Sequence, residues 1–183
     1  MNRIDAASVF EQTLRRPTLL EGDAPWAFVV LPKAVSDTLP RRGRTTVEGA
    51  LNGHPFRQTL EPDGRLSHWL RISKEMLELA GVDAGDTVVF ELRAAAQEPE
   101  PEVPSDLQRA LAGSPAARAV WDDTTTIARL DWIHWIVSAK QAKTRAQRIE
   151  SACDMLASGK RRVCCFDPSG YYSKAFRAPE AAD

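Results

Sequence analysis

Two stretches of this chain repeat one pattern. The first runs as an apolar strand from Trp26, Pro32-Lys33, a short helix, Gly43, Thr45 and Val47. The second runs as a strand from Leu66, Ser73-Lys74, a short helix, Gly85, Thr87 and Val89, with the offset changing by one residue inside the loop. Two unrelated strand–helix–strand segments would also align roughly, but matched connection lengths favour duplication. A duplicated unit of this kind closes naturally into a pseudo-symmetric barrel, because closure removes exposed strand edges.

The rest of the first half supplies the remaining strands. Val9 to Leu14 is short and β-prone, and residues 15 to 25 read as a loop because they carry Pro17, Gly22, Asp23 and Pro25. Trp26 to Leu31 has few polar interruptions, as expected of a strand buried on both faces. Pro32 opens a short helix carrying Ala34, Val35 and Leu39. Thr45 to Leu51 and His54 to Leu60 flank Asn52-Gly53, a pair that tolerates the positive φ of a type I′ hairpin. Glu61 to Gly64 predicts a turn. Ser73 is placed to cap a helix ending at Ala80, with Gly81 as its left-handed stop before the strand Thr87 to Arg93.

Ala94 to Pro104 alternates Glu and Pro, favouring extended and solvated backbone. Beyond it the pattern turns helical. Ser105 is expected to cap a helix over 106–112, Pro115 to open another, and the threonines 124–126 to cap an aromatic helix from Ile127. Leu130, Ile133 and Val137 mark the core face of that helix. Ile149, Cys153 and Leu156 stripe the next, which ends at Gly159. Val163 to Phe166 reads as extended, Tyr171 to Phe176 as a returning strand or docked tail, and residues from Ala178 as frayed.

A length of 183 residues suits one large domain or two small ones. The formal net charge of -1 argues against a general polyanion binder. No apolar run approaches the roughly 20 residues of a membrane span, and Met1 to Arg16 lacks the pattern of a signal peptide, so the cytoplasm is the expected location. Cys153, Cys164 and Cys165 read as reduced thiols, without the CxxC spacing of zinc sites. No cofactor or metal is expected.

One stretch departs from the overall balance. Lys140, Lys143, Arg145, Arg148, Lys160, Arg161 and Arg162 face only Glu150 and Asp154 after Asp131. Cations and the Thr144 hydroxyl near a helix start suit a phosphate, carboxylate or sulfate. The plainer alternative is a solvated cationic face paired with Glu98, Glu100 and Glu102. Trp132 and Trp135 form either an aromatic wall or core, and His134 between them has no nucleophile or metal-spaced partner. His54 and His68 fall on strands without a recognisable partner.

The second half resembles the YdeI/OmpD-associated, bacteriocin-protection family. The residues that carry the likeness are Trp135-Ile136, Ala139-Lys140, Thr144-Arg145, Arg148-Ile149 and Gly159-Lys160, with Pro104, Asp106-Leu107 and Ala110-Leu111 upstream. Ala142-Lys143 departs from the Pro-acid pair that relatives often carry there. The first half is similar to the small barrel domain of unknown function that often precedes this helical domain, through Trp26, Phe28, Leu31-Pro32, Gly49, Asn52-Gly53, Pro55-Phe56, Lys74 and Gly85-Asp86. The resemblance implies an α+β protein: an N-terminal double-split-type β-barrel, distantly akin to AbrB/MazE-like barrels, followed by a small all-helical domain. The expected divisions are a barrel over 1–96, a linker over 97–104, a helical domain over 105–162 and a tail over 163–183.

The leading expectation is a non-enzymatic binding or stress-protection protein, a monomer or weak dimer. Its candidate ligand residues are Trp135, Lys140, Thr144, Arg145, Arg148 and Lys160, facing a small anion or an acidic protein segment. A nucleic-acid regulator using Arg41, Arg42 and Arg44 is the second reading, disfavoured by the neutral charge. An enzyme with a cleft between the domains is the third.

Overall fold

The computed structural model describes residues 6–19, 22 and 25–182. Residues 1–5 of the stretch read for a leader lie outside them, as does part of the loop over 15–25. The described chain divides into two compact units. One holds residues up to Gln97 together with those from Ser169 onward, and the other holds Glu98–Pro168.

The first unit is a curled antiparallel sheet. Its strands are β1 (Ser8–Thr13), β2 (Ala27–Val30), β3 (Thr45–Leu51), β4 (His54–Pro62), β5 (His68–Ile72) and β6 (Thr87–Ala94), in the spatial order β1-β6-β3-β4-β5-β2. Two short helices, α1 (Lys33–Ser36) and α2 (Lys74–Ala80), interrupt them. The echo in the sequence reappears as pairing between equivalents. β2 pairs with β5, and β3 pairs with β6, each antiparallel. An isolated bridge between Arg15 and Phe28 joins the chain just past β1 to β2, the other edge of the sheet. The curl, a half-barrel, is thereby tied at both rims.

Period-two patterning sets the inside. Along β6, Val88, Phe90 and Leu92 are buried while Thr87, Val89, Glu91 and Arg93 face out. They pack with Leu14, Val29, Val47, Leu51, Leu60, Leu70 and Ile72, each apolar side chain contributing about 1.5–3 kcal/mol by burial. Asn52 and Gly53 take φ of 46° and 82°, as the β3–β4 hairpin requires. Asn52 also docks that hairpin on β6, its Oδ1 accepting the Val89 N–H at 2.8 Å. The α2 ends follow the sequence: the Ser73 hydroxyl accepts the Met76 N–H, and Gly81 sits at φ 67°.

The last described segment takes the docked alternative over the returning strand and corrects one expectation, the frayed end. Residues 171–176 form turns and no strand, with Gly170 and Lys174 at φ of 68° and 57°, values that break extended pairing. The chain beyond Ala178 is docked on the first unit, where Thr18 N–H donates to Glu180 O and Ala182 N–H donates to Arg16 O. A Cβ on Gly64 would stand 2.0 Å from the Phe176 carbonyl oxygen, so only glycine lets the tail lie this close.

In the second unit α3 (Ser105–Ala112), α4 (Pro115–Asp123), α5 (Thr126–Val137) and α6 (Ala142–Ala157) surround a core of Leu107, Leu111, Trp121, Trp132, Ile136, Ile149 and Leu156. Pro115 takes the first turn of α4, and Thr125 caps α5 by accepting the Ala128 N–H. α3 begins differently from the expectation: Pro104 stands at the cap, and Ser105 is already helical. Both units together make an α+β protein.

His68 is fully buried between two elements of the first unit. Its Nδ1 lies 2.7 Å from Ser36 Oγ and its Nε2 lies 2.9 Å from Gly43 O. A carbonyl can only accept, so Nε2 carries the proton and Nδ1 accepts from the hydroxyl. Burial is the main cause holding its pKa below the ordinary histidine value. The folded state therefore resists protonation that the unfolded chain accepts, and stability falls as pH drops below the ordinary value of about 6.5. Thermal melts from pH 8 to 5 should show this acid sensitivity in the wild type, with a flatter profile in His68→Gln.

Candidate functional site

The junction of α5 and α6 gathers most of the cationic residues singled out in the sequence. α5 is apolar on most of its faces, with Ala128, Leu130, Trp132, Ile133, His134 and Ile136 all buried. Trp132 is completely enclosed, and its Nε1–H donates to Arg161 O at 3.2 Å. It is core. Trp135 is half-buried at the edge of the same cluster, 6.2 Å from the Trp132 ring. His134 is buried edge-on to Phe166.

Arg148 holds the end of α5. Its Nη1 donates to Trp135 O at 2.6 Å and to Ser138 Oγ at 3.1 Å, and its guanidinium lies 5.5 Å from the centre of the Trp135 ring. The last carbonyls of a helix lack intrahelical partners and carry partial negative charge, so a guanidinium is well matched to them. Arg145 is bound elsewhere: Nε and Nη2 grip the two Asp106 oxygens at 2.8 and 3.1 Å. This two-point contact joins α6 to the first turn of α3. It holds the Asp106 carboxyl below its usual range and raises the Arg145 pKa.

Other cations of the stretch are also engaged. Arg161 donates to the Asp123 carbonyl at 2.8 Å and pairs with the Asp123 carboxylate. Its own carbonyl accepts from Thr124 and Trp132. The acidic segment meets a cation outside the predicted cluster: Glu100 bonds Arg129 and Thr126, and Arg129 also donates to Trp121 O and Thr124 O. Arg129 first, then Thr126, keeps the Glu100 carboxyl below its ordinary range.

Lys140, Lys143 and Thr144 stand together at the start of α6, the lysines exposed and the threonine half-buried. Arg145 N–H is the first of the helix to bond back, to Gln141 O. The N–H groups of Ala142, Lys143 and Thr144 meet no acceptor among the described residues, and Gln141 provides no side-chain cap. Lys160 is at the other end. Its separation of sixteen positions from Thr144 places it roughly 24 Å along the helix axis, where its N–H closes the C-terminal cap on Met155 O. The structure thus groups Trp135, Lys140, Thr144, Arg145 and Arg148 near one junction and sets Lys160 apart.

Arg42 and Arg44 in the first unit are held by carboxylates, Arg42 by Asp37 and Arg44 by Glu61 at 2.9 Å. Among the described residues, no group of three or more His, Cys, Asp or Glu is placed to hold a metal ion. No described helix is long and apolar enough to cross a membrane.

These features define the class: an α+β protein combining a curled six-stranded sheet with a helical unit whose ends are tied by arginines. Residues 100–159 match the family described as bacteriocin-protection, YdeI or OmpD-associated, and residues 10–92 match the domain of unknown function DUF1905. Residues 100–159 thus form a YdeI/OmpD-associated domain, preceded by that small domain of unknown function. No curated protein matches it.

Sequence reasoning missed Asp106 as the partner of Arg145 and Arg129 as the partner of Glu100. The signal for the first was available, since an acid in a helix's first turn is a favourable place for a charge that a cation can meet. Asp106→Asn should lower stability by about 1 kcal/mol in urea titration, as expected for a half-exposed two-point pair. Because the native Asp106 carboxyl titrates low, the wild type should lose this advantage as pH falls through that lowered value, and the variant should not.

Proposed function

We propose that this is a non-enzymatic binding protein of the bacterial cytoplasm with a role in stress protection, and that the start of α6 receives a small anion or an acidic segment of a partner protein. The family description speaks of bacteriocin protection, a protective role that fits binding as readily as catalysis. Pairing between the two echoed units supports a double-split type for the first domain.

One observation carries the binding reading. The first turn of α6 has three unsatisfied N–H groups, no acidic residue and no side-chain cap, and exposed Lys140 and Lys143 flank it. Helix starts of this composition attract anions through their amides and partial positive charge. Thr144 adds a hydroxyl, and Arg148 one turn further on lies against Trp135. Arg145 joins only by exchanging Asp106 for the ligand. Lys160 is too distant to touch the same small ion.

A nucleic-acid reading loses two of its three arginines, because Arg42 and Arg44 are already paired with Asp37 and Glu61. Calorimetric titration with inorganic phosphate and with a short poly-glutamate peptide tests the proposal. Lys140→Ala/Lys143→Ala/Thr144→Ala should weaken the better of the two by about tenfold, with the remaining affinity falling as salt is added. Equal binding by wild type and this variant would remove the α6 site.

A further inference from the structure

We propose that the first unit carries a separate ligand site, for a small aromatic monocarboxylate, in the hollow between the outer face of β2–β5 and the docked tail. The site lies in a different unit from the α6 junction and does not depend on the reading given for it.

The hollow measures about 320 Å³ and is lined by Trp26, Trp69, Arg71, Arg177, Pro179 and Glu180, among others. That volume is at the small end of ligand pockets, which run roughly 300–1,000 Å³. Alternation on β5 creates its back wall: His68, Leu70 and Ile72 are buried in the core, leaving Trp69 and Arg71 on the other face. The tail supplies the opposite wall and is fixed there by the Thr18–Glu180 and Arg16–Ala182 main-chain bonds.

Arg71 is the reason to expect an anion. Its guanidinium lies 4.2 Å from the centre of the Trp26 ring, half-buried. Among the described residues it meets no carboxylate and donates no hydrogen bond. Arg16, Arg42 and Arg44 in the same unit each have a carboxylate partner. A guanidinium presents five donors in a fixed fork, and no described residue accepts from those of Arg71. The Trp26 indole N–H beside it is a buried donor without an acceptor. Arg177 and Glu180, 3.7 Å apart, largely cancel each other. Among the described lining residues one uncompensated positive charge remains, matching a single carboxylate that the Arg71 fork can bind at two points.

The walls choose the rest of the ligand. Trp69 is half-exposed beside the guanidinium, edge-on to Phe28, and Pro179 faces the hollow from the tail. A flat ring stacks on such a surface and adds to the charge pairing. Free phosphate or acetate would use Arg71 and leave these walls empty.

Titrating the full chain with benzoate, acetate and benzyl alcohol, followed by calorimetry and tryptophan fluorescence, tests the site. Benzoate should bind saturably and perturb the fluorescence. Acetate, which lacks the ring, and benzyl alcohol, which lacks the charge, should each bind at least about tenfold more weakly. Arg71→Gln should lose benzoate binding by about tenfold or more while melting cooperatively, and Trp69→Ala should weaken it separately. Absence of saturable benzoate binding by the wild type would overturn the proposal. So would equal binding of acetate, or unchanged affinity in both variants. The α6 reading fails on other readouts, phosphate or peptide binding and the lysine variants of the second unit.

Discussion

Orphaned carbonyls at helix ends govern the second unit. α4 ends at Asp123, and its last turn gives Trp121 O to Arg129 and Asp123 O to Arg161, while Thr124 O beyond it also goes to Arg129. α5 ends at Val137, and Trp135 O goes to Arg148. Each guanidinium satisfies main-chain oxygens and places positive charge at the negative end of a helix dipole. Short helices joined by tight connections leave many such oxygens close together, and lysine has no fork with which to span them. The concentration of arginine in this part of the chain is in good measure a consequence of that geometry.

The candidate site looks different in this light. A count of charges along the sequence cannot separate cations that close the fold from cations that face solvent. Arg145, Arg148 and Arg161 carry structural contacts, whereas Lys140 and Lys143 remain at an open helix start. Distance also escapes a linear reading: Lys160 follows Thr144 by sixteen positions, and a straight helix turns that separation into length. Arg71 gave no sequence signal because it is one arginine on one strand. Its interest comes from which partners the fold withholds from it.

Much of the fold was legible for local reasons. Asn52-Gly53, Ser73 and Gly81 each impose a backbone conformation that few other residues adopt so readily, and each stands where its chemistry predicts. The echo of two strand–helix–strand segments pointed to a curled, pseudo-symmetric sheet, and its equivalent strands pair in the fold. The misreadings came where local chemistry was ambiguous or silent. Ser105 is a good capping residue, but Pro104 beside it adopts extended backbone, with ψ of 143°, and takes the boundary position. Tyr171-Tyr172 is β-prone, yet left-handed residues on either side turn the chain. The docking of residues 180–182 relies on main-chain hydrogen bonds, which no side-chain pattern announces.

The tail has a consequence for how the protein is made. The sheet-bearing unit is discontinuous: its final piece begins at Ser169, after the whole of the Glu98–Pro168 unit. On the ribosome the strands can pair long before that piece emerges, but the wall over Trp26 and Trp69 must wait for it. An interval of more than seventy residues of synthesis therefore separates a paired sheet from a covered one, and during it two tryptophans lie open to any chaperone that reads exposed aromatic surface.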